Sequence, residues 1–517
     1  MLLDLHLPEQ FNAADYFVDR NIRENRGHRT AIICEDRSFT YEDIQAGMNR
    51  VGNALKSFGV RMENRVGLLL LDTEIFPQAF FGAIKIGAVP VCLNTLLRTK
   101  DYLYLLNDSR ARILLVDAAL WGNIEPIKAK LRFLEHIVVV NGPASAGTIA
   151  FEDFIKGQST ELTAAPTTPD DSCFWLYSSG STGQPKGAIH LQHDMVYCSQ
   201  AFGKHIVGIR EDDVTYSAAK LFFAYGLGNS LYYPFSVGAS SVLVPERPTP
   251  KLAYETIKRY KPSLFYAVPT LYGTMLAEEG RLDGVRLCIS AGEALPAEIL
   301  NRWMERHKVP LLDGIGSTEI TQSFISNTVD DIRPGSSGKI VPGYEAKIVD
   351  EDFKEVSDGE VGTLLIKGDS IAAGYWNKHE KSKTTMLGEW INTDDKYMRD
   401  KDGYYYYVGR TNDMLKVGGI WVSPIEVEAC LIGHPAVLEC AVIGAPDNEN
   451  LIKPKAYVIL NRGYTAGADL EKELKDYVKN TLAHYKFPRW VEFVEELPKT
   501  ATGKIKRFEL RKLSNVE

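Results

Sequence analysis

Cys173-Phe174-Trp175-Leu176 is a short apolar run that leads directly into Tyr177-Ser178-Ser179-Gly180-Ser181-Thr182-Gly183-Gln184-Pro185-Lys186-Gly187. The pair reads as a buried strand followed by a loop of hydroxyls and glycines closed by one lysine. Such a loop suits phosphates: glycine lets backbone N–H groups approach, while Ser, Thr and Lys supply donors and charge. The P-loop pattern GxxxxGK[ST] does not fit. Counted from Gly180, Pro185 stands where the second glycine is required, and Gly187 stands where the metal-binding hydroxyl should be. On this string alone a flexible polar turn stays open.

Outward from the loop, strand-like and helical stretches alternate between about residues 30 and 290. Val66–Leu71 and Ile113–Val116 read as buried strands, and 74–86 (EIFPQAFFGAIKI) as a helix broken at Gly87. This order predicts α/β layers with mostly parallel sheets. The segment 162–171 (LTAAPTTPDD) reads as a connector. After Asp350 turn signals become dense, and runs such as Gly362–Ile366 and Tyr404–Val408 predict a β-rich subdomain. Beyond Arg410 follow a helix near Pro424, strands at Leu438–Ile443 and Ala456–Leu460, a helix at Asp469–Leu482, and a final strand with a basic tail. The expected organisation is a large N-terminal domain over 1–411, with layered α/β subdomains plus the β-rich one, and a small mobile α+β C-terminal domain over 412–517.

Composition narrows the class. The 517 residues are 45% hydrophobic and 24% charged, which suits a multi-domain soluble enzyme. The net charge of −8 argues against a nucleic-acid partner, which would need clustered Lys and Arg. The basic tail, Lys504, Lys506, Arg507, Arg511 and Lys512, reads as a solvated helix face. Seven scattered cysteines with no CxxC pair argue against a disulfide framework. No apolar run approaches the ~18–20 residues that span a bilayer, and the N-terminus lacks a signal-peptide pattern. The expectation is a cytoplasmic protein, monomeric or homodimeric, with no membrane partner.

Further motifs follow the loop in order: Gly316-Ser317-Thr318-Glu319, Asp395, Gly409-Arg410, Gly418-Gly419, and Pro498-Lys499-Thr500-Ala501-Thr502-Gly503-Lys504. With the Ser178–Gly187 string, this set resembles the adenylate-forming superfamily: acyl-CoA synthetases, peptide-synthetase adenylation domains and luciferases. The resemblance covers about residues 30 to 512. It implies that a carboxylate attacks the α-phosphorus of ATP, pyrophosphate leaves, and the acyl group then passes to a thiol. Negative charge crowds one phosphorus in that step, so Mg²⁺ and fixed positive donors are needed there.

By the same resemblance, Ser178, Ser179, Gly180, Ser181, Thr182, Gly183 and Lys186 surround the phosphates, and Thr318 donates to the α-phosphate. Glu319 holds Mg²⁺, as a hard oxygen ligand suits that ion. Gly292, Glu293, Asp313, Gly314, Ile315 and Gly316 form the adenine-binding stretch, with Ile315 where many relatives stack a tyrosine. Asp395 and Arg410 hold the ribose. Lys504 is the catalytic lysine, brought in by the small domain and able to touch both carboxylate and α-phosphate. Asn412 occupies the hinge about which that domain rotates between half-reactions, where many relatives carry Asp or Lys. Gly418 and Gly419 line the tunnel for coenzyme A.

The run Lys220-Leu221-Phe222-Phe223-Ala224-Tyr225-Gly226-Leu227-Gly228-Asn229 resembles benzoate-CoA ligases and their hydroxybenzoate relatives more than fatty acyl enzymes. The acid pocket is then expected at Ala224, Tyr225, Gly226, Gly316, Gln322 and Ser323. Where benzoate members typically run Met-Leu-His-Ile, this chain reads Ile320-Thr321-Gln322-Ser323, which predicts a roomier and more polar wall. A second departure is Asp394, which replaces the usual glycine before the ribose aspartate. The expected reaction is AMP-forming ligation of a small cyclic acid, aromatic or alicyclic, to coenzyme A. A short- or medium-chain acyl-CoA synthetase, a carrier-loading adenylation enzyme and a silent nucleotide binder are the alternatives.

Overall fold

The computed structural model describes residues 3, 5–178, 184–410, 413–417, 420–447, 451–499 and 505–514. Two large sheets dominate the N-terminal part. In the first, six parallel strands run in the order Leu311–Gly316, Leu287–Ser290, Leu264–Ala267, Val214–Ser217, Ser240–Leu243, Thr30–Cys34. Antiparallel strands close both edges: Ser323–Ser326 and Lys339–Ile340 on one side, Arg37–Thr40 on the other. The second sheet is parallel from Ser172–Ser178 through Val89–Cys92, Arg65–Leu69, Ile113–Asp117 and His136–Val140 to Ile149–Ala150. Its other edge adds Lys186–Leu191 and then Gly374–Tyr375, both antiparallel.

Two helices show why the layers hold. Tyr41–Ser57 starts on a capping box: Thr40 Oγ1 accepts the Asp43 N–H, and the Asp43 carboxylate accepts the Thr40 N–H at 2.9 Å. The helix at 74–86 is Ile75–Lys85, and every residue in it except Gln78 is buried. A helix apolar on all faces belongs inside a core. Its terminal Lys85 reaches Asp19 at 2.7 Å and Asn49 Oδ1 at 2.7 Å, so the buried ammonium is paired. The chain turns away at Gly87, whose φ is +73°.

The β-rich subdomain contains Glu345–Val349, Val361–Lys367, Met386–Leu387, Trp390–Arg399 and Tyr405–Arg410. It begins at Glu345, slightly before the turn-dense region of the sequence. After it come a hairpin (Leu415–Val417, Ile420–Val422), the helix Pro424–Ile432, and a three-stranded sheet of Val437–Pro446, Ile452–Leu460 and Trp490–Phe493. Helices Ala468–Thr481 and Arg507–Leu513 complete this C-terminal module. Leu415, Val417 and Val422 pack in the same apolar cluster as Leu431, Val442 and Leu474, so the hairpin shares the module's core.

The basic tail is not a solvated face throughout. The guanidinium of Arg507 donates to both oxygens of Glu428, at 2.8 and 2.7 Å, and both side chains are largely buried. Leu510 is buried beside them. All seven cysteines are free thiols. Among the described residues, no helix is long and apolar enough to cross a membrane.

Candidate active site

A cleft of about 1830 Å³ lies where the three sheets and the C-terminal module meet. Parallel strands end at it, which is where α/β sheets place ligands. Its floor is the end of Leu311–Gly316 and the following turn, so Asp313, Gly314, Ile315, Gly316, Thr318 and Glu319 all line it. Ser178 and Lys186 line it from the second sheet, and Asp395 and Arg410 from the third. Lys506, Arg507 and Glu509 face it from the C-terminal module.

Glu319 is held in place by two hydroxyls. The Ser178 hydroxyl donates to its Oε1 at 2.8 Å, and the Tyr375 hydroxyl donates to the same oxygen at 2.8 Å. Burial alone would raise its pKa; the Tyr375 and Ser178 hydroxyls and the nearby Lys186 charge outweigh burial and hold it below the usual range. Lys186 sits 4.4 Å above the Tyr375 ring, and burial lowers its pKa. The arrangement is an ionised carboxylate beside an ammonium on the cleft wall. Tyr375 is not legible as a site residue in the sequence. It comes from a two-residue strand that pairs with Lys186–Leu191, and no local spacing announces that pairing. Tyr375→Phe removes one of the two hydroxyls on Glu319. On the resemblance's assignment of Mg²⁺ to Glu319, it is expected to raise the Mg²⁺ concentration for half-maximal activity by roughly 10-fold while the melting temperature moves little. A metal titration of the purified variant checks this.

Asp313 is buried, and its Oδ1 has no hydrogen-bond partner among the described residues. Burial pushes its carboxyl well above the usual range, against bonds from the backbone N–H groups of Leu295 and Gly314. A buried acceptor left open in a cleft calls for a donor from a ligand. Gly292 and Glu293 line the same wall, and the Thr270 hydroxyl donates to Glu293 at 3.2 Å.

Arg410 Nε lies 3.1 Å from Asp395 Oδ1, and the two residues face each other in the strand register. Asp394, just before, has φ +59°. That left-handed conformation explains the glycine of relatives, and aspartate is among the few side chains that adopt it readily. Its carboxylate reaches Lys381 at 3.3 Å.

Of the expected acid-pocket residues, Gly316 alone is among those lining the cleft; Ala224, Tyr225, Gly226, Gln322 and Ser323 pack in the wall around it. Gly316 pairs in register with Ser323 on the neighbouring strand. A Cβ on Gly316 would lie 2.7 Å from the Gln322 backbone, so no larger residue fits without moving that wall. Gln322 Nε2 donates to the carbonyls of Ala224 and Tyr225, at 3.2 and 3.1 Å. Its amide nitrogen therefore ties the Ala224–Leu227 helix to the strand. The Tyr225 hydroxyl is fixed to the Ile289 carbonyl at 2.8 Å, which sets its ring. A Cβ on Gly226 would fall 2.0 Å from the Lys220 carbonyl. Ser323 is buried, and its hydroxyl has no partner among the described residues.

Ser179, Gly180, Ser181, Thr182, Gly183, Asn412, Gly418, Gly419 and Lys504 lie outside the described residues.

Residues 18–376 match the family model for AMP-binding enzymes, and residues 426–504 match that for the AMP-binding enzyme C-terminal domain. The chain is 50% identical over 514 residues to a benzoate–CoA ligase of Thauera aromatica, covering 98% of this chain and 97% of the relative. It superposes on an anthranilate CoA ligase in complex with anthranoyl-AMP with a TM-score of 0.96 at 48% identity, covering 99% and 98% of the two chains. For a benzoate CoA ligase from Burkholderia xenovorans LB400 the TM-score is 0.90 at 45% identity, covering 97% of this chain and 100% of the other. Fold and cleft thus define an AMP-binding enzyme of the adenylate-forming superfamily. Within that class the chain belongs to the benzoate–CoA ligase family of AMP-forming acid–CoA ligases.

Proposed function

We propose that this chain joins a benzoate bearing a small hydrogen-bonding ring substituent to coenzyme A, through an acyl-adenylate. The supporting observation is the Ser323 hydroxyl, buried and unpartnered beside Gly316, while the Gln322 amide nitrogen is committed to backbone carbonyls. A buried hydroxyl without a partner disfavours a plain hydrocarbon ring and favours an acid that supplies the missing bond.

The same reading assigns the first half-reaction. Lys186, with the loop that precedes it, takes the β- and γ-phosphates of ATP. Asp313 Oδ1 accepts from the adenine amine, and Ile315 packs on the base. Asp395 accepts the ribose hydroxyls, with Arg410 holding it in place. Thr318 donates to the α-phosphate. Glu319 fits Mg²⁺: it is an ionised hard-oxygen donor lining the cleft. When bound, Mg²⁺ would neutralise charge gathering on the phosphates. Lys504 then orients the incoming carboxylate, and rotation at Asn412 clears it so that the pantetheine thiol can enter past Gly418 and Gly419. The domain division at 411/412 and a cytoplasmic location belong to this proposal.

A panel tests it: benzoate, 2-aminobenzoate, 2-hydroxybenzoate, 4-hydroxybenzoate, cyclohexanecarboxylate and butyrate, read by AMP release with and without coenzyme A. The highest kcat/KM is expected with a substituted benzoate, and AMP release should depend on coenzyme A. Ser323→Ala should cut that preference over benzoate by roughly 10-fold. Equal use of butyrate, or a preference unmoved in Ser323→Ala, contradicts the proposal.

A further inference from the structure

The backbone beneath the metal-binding turn is held by a fully buried histidine that takes no part in the half-reactions. His190 Nε2 donates to the Thr318 carbonyl at 2.8 Å. Its Nδ1 lies 2.8 Å from Asp194 Oδ2, and both side chains are completely buried. Asp194 Oδ2 also accepts the Leu191 N–H at 3.1 Å, so the carboxylate is itself oriented. The imidazole stacks on Phe174, with centroids 4.9 Å apart and planes at 21°. Both ring nitrogens face acceptors, so a proton must sit on each contact. One lies on Nε2–H toward Thr318, and one is shared between Nδ1 and Asp194.

A second ring backs the first. His193 places Nδ1 on the Pro169 carbonyl and Nε2 on the Asp369 carbonyl, each at 2.8 Å. Its Nε2 is also 3.3 Å from Asp194 Oδ1. Burial works against its charge, but Asp194 and the two carbonyls prevail and raise its pKa. Asp194 Oδ2 orients His190, its Oδ1 lies near His193 without a hydrogen bond among the described residues, and the two rings together hold three backbone carbonyls. A pocket that only needed filling would carry an apolar side chain, since buried charge is costly unless it is fully paired.

The carbonyl held by His190 belongs to Thr318, between the hydroxyl assigned to the α-phosphate and the carboxylate of Glu319. The other side of the same turn is tied by the Ala372 N–H, which donates to the Glu319 carbonyl at 2.7 Å. Thr321, immediately beyond, has φ +67°, so the turn does not hold its shape by local preference alone. We propose that His190, oriented by Asp194, is a positioning residue for adenylate formation. Its Nε2–H fixes the Thr318–Glu319 peptide and so aims both side chains at the nucleotide. The inference rests on the assignment of Thr318 and Glu319 to ATP. A displacement of about 1 Å in such a constellation costs on the order of 100-fold in rate.

Two substitutions separate the ring's two contacts. Glutamine carries an N–H where Nε2 stands, so His190→Gln keeps the donor to Thr318. Asparagine carries one where Nδ1 stands, so His190→Asn keeps only Asp194. Labelled-pyrophosphate exchange into ATP is first measured on the unaltered protein with the best acid of the panel; absence of exchange there overturns the functional assignment and the inference with it, whereas the variants below test the inference alone. His190→Asn is expected to lower the exchange kcat roughly 100-fold, with KM for the acid within about 3-fold and thioester formation from supplied acyl-adenylate near normal. His190→Gln should recover exchange to within roughly 10-fold. Should His190→Asn fail to fold, Asp194→Asn is expected to show the same one-sided loss. Equal rates for the two His190 variants, a parallel fall in both half-reactions, or unchanged exchange in Asp194→Asn overturns the proposal.

Discussion

Lys504→Ala is expected to lower acyl-adenylate formation by about a thousand-fold, yet to leave thioester formation from supplied adenylate within a few-fold of normal. The first half-reaction brings a carboxylate anion to a phosphorus already surrounded by negative oxygens. In the role the family resemblance gives Lys504, its ammonium contacts both partners and lowers that barrier, and the loss of one preorganised donor commonly costs 10²–10³ in rate. The second half-reaction attacks a carbonyl and needs the same space left open. Single-turnover measurements of each half, on one preparation, give the test. Equal losses in both would contradict a two-conformation scheme, and full adenylation would remove Lys504 from the chemistry.

Arg507→Ala carries the largest expected effect on stability. Arg507 bridges the last helix to Glu428 on the first helix of the C-terminal module through two charge-assisted bonds. Glu428 also accepts the Val442 N–H at 2.6 Å, so it cannot turn outward without leaving that N–H unpaired. Removing the arginine leaves an uncompensated buried carboxylate, which costs about 3 kcal/mol or more. For a module of this size the midpoint should fall by roughly 10 °C or more. The double change Arg507→Met with Glu428→Met should recover most of the loss, because apolar replacement of a buried pair is often neutral. Differential scanning calorimetry of the three proteins decides it; a shift under about 2 °C in the single variant would show that water already reaches the pair.

The sequence carries the local parts of this picture well. The apolar run at Cys173–Leu176 is inside the strand Ser172–Ser178, and 74–86 contains the helix Ile75–Lys85. Periodicity and turn residues act over a few positions, so they are written in order along the chain. Thr318, Glu319, Asp313, Asp395 and Arg410 are singled out instead by the resemblance of their motifs to the adenylate-forming superfamily, and the fold gathers them around one cleft. The features that escape a linear reading are decided across the chain. Tyr375 reaches Glu319 only because its strand joins the edge of a sheet built from much earlier residues. His190 matters through a carbonyl 128 positions away. Arg507 reads as one more solvated charge until the fold places Glu428 against it. Asp394 is intermediate: its departure from glycine is visible, but only the backbone angle gives the reason.

The short strand Gly374–Tyr375 also dictates where this enzyme can be divided. Its backbone joins the strand Lys186–Leu191, with the Ala373 N–H on the Ile189 carbonyl and the Trp376 N–H on the Gly187 carbonyl, both at 2.9 Å. The β-rich sheet also pairs Val361–Lys367 with Trp390–Arg399 across Trp376, so the seam that spares both pairings runs after Arg410. A hybrid that takes its acid pocket from this chain and its later portions from a relative should be spliced beyond that residue. A junction placed just upstream of Gly374 would part the lysine of one parent from the tyrosine it was shaped to meet.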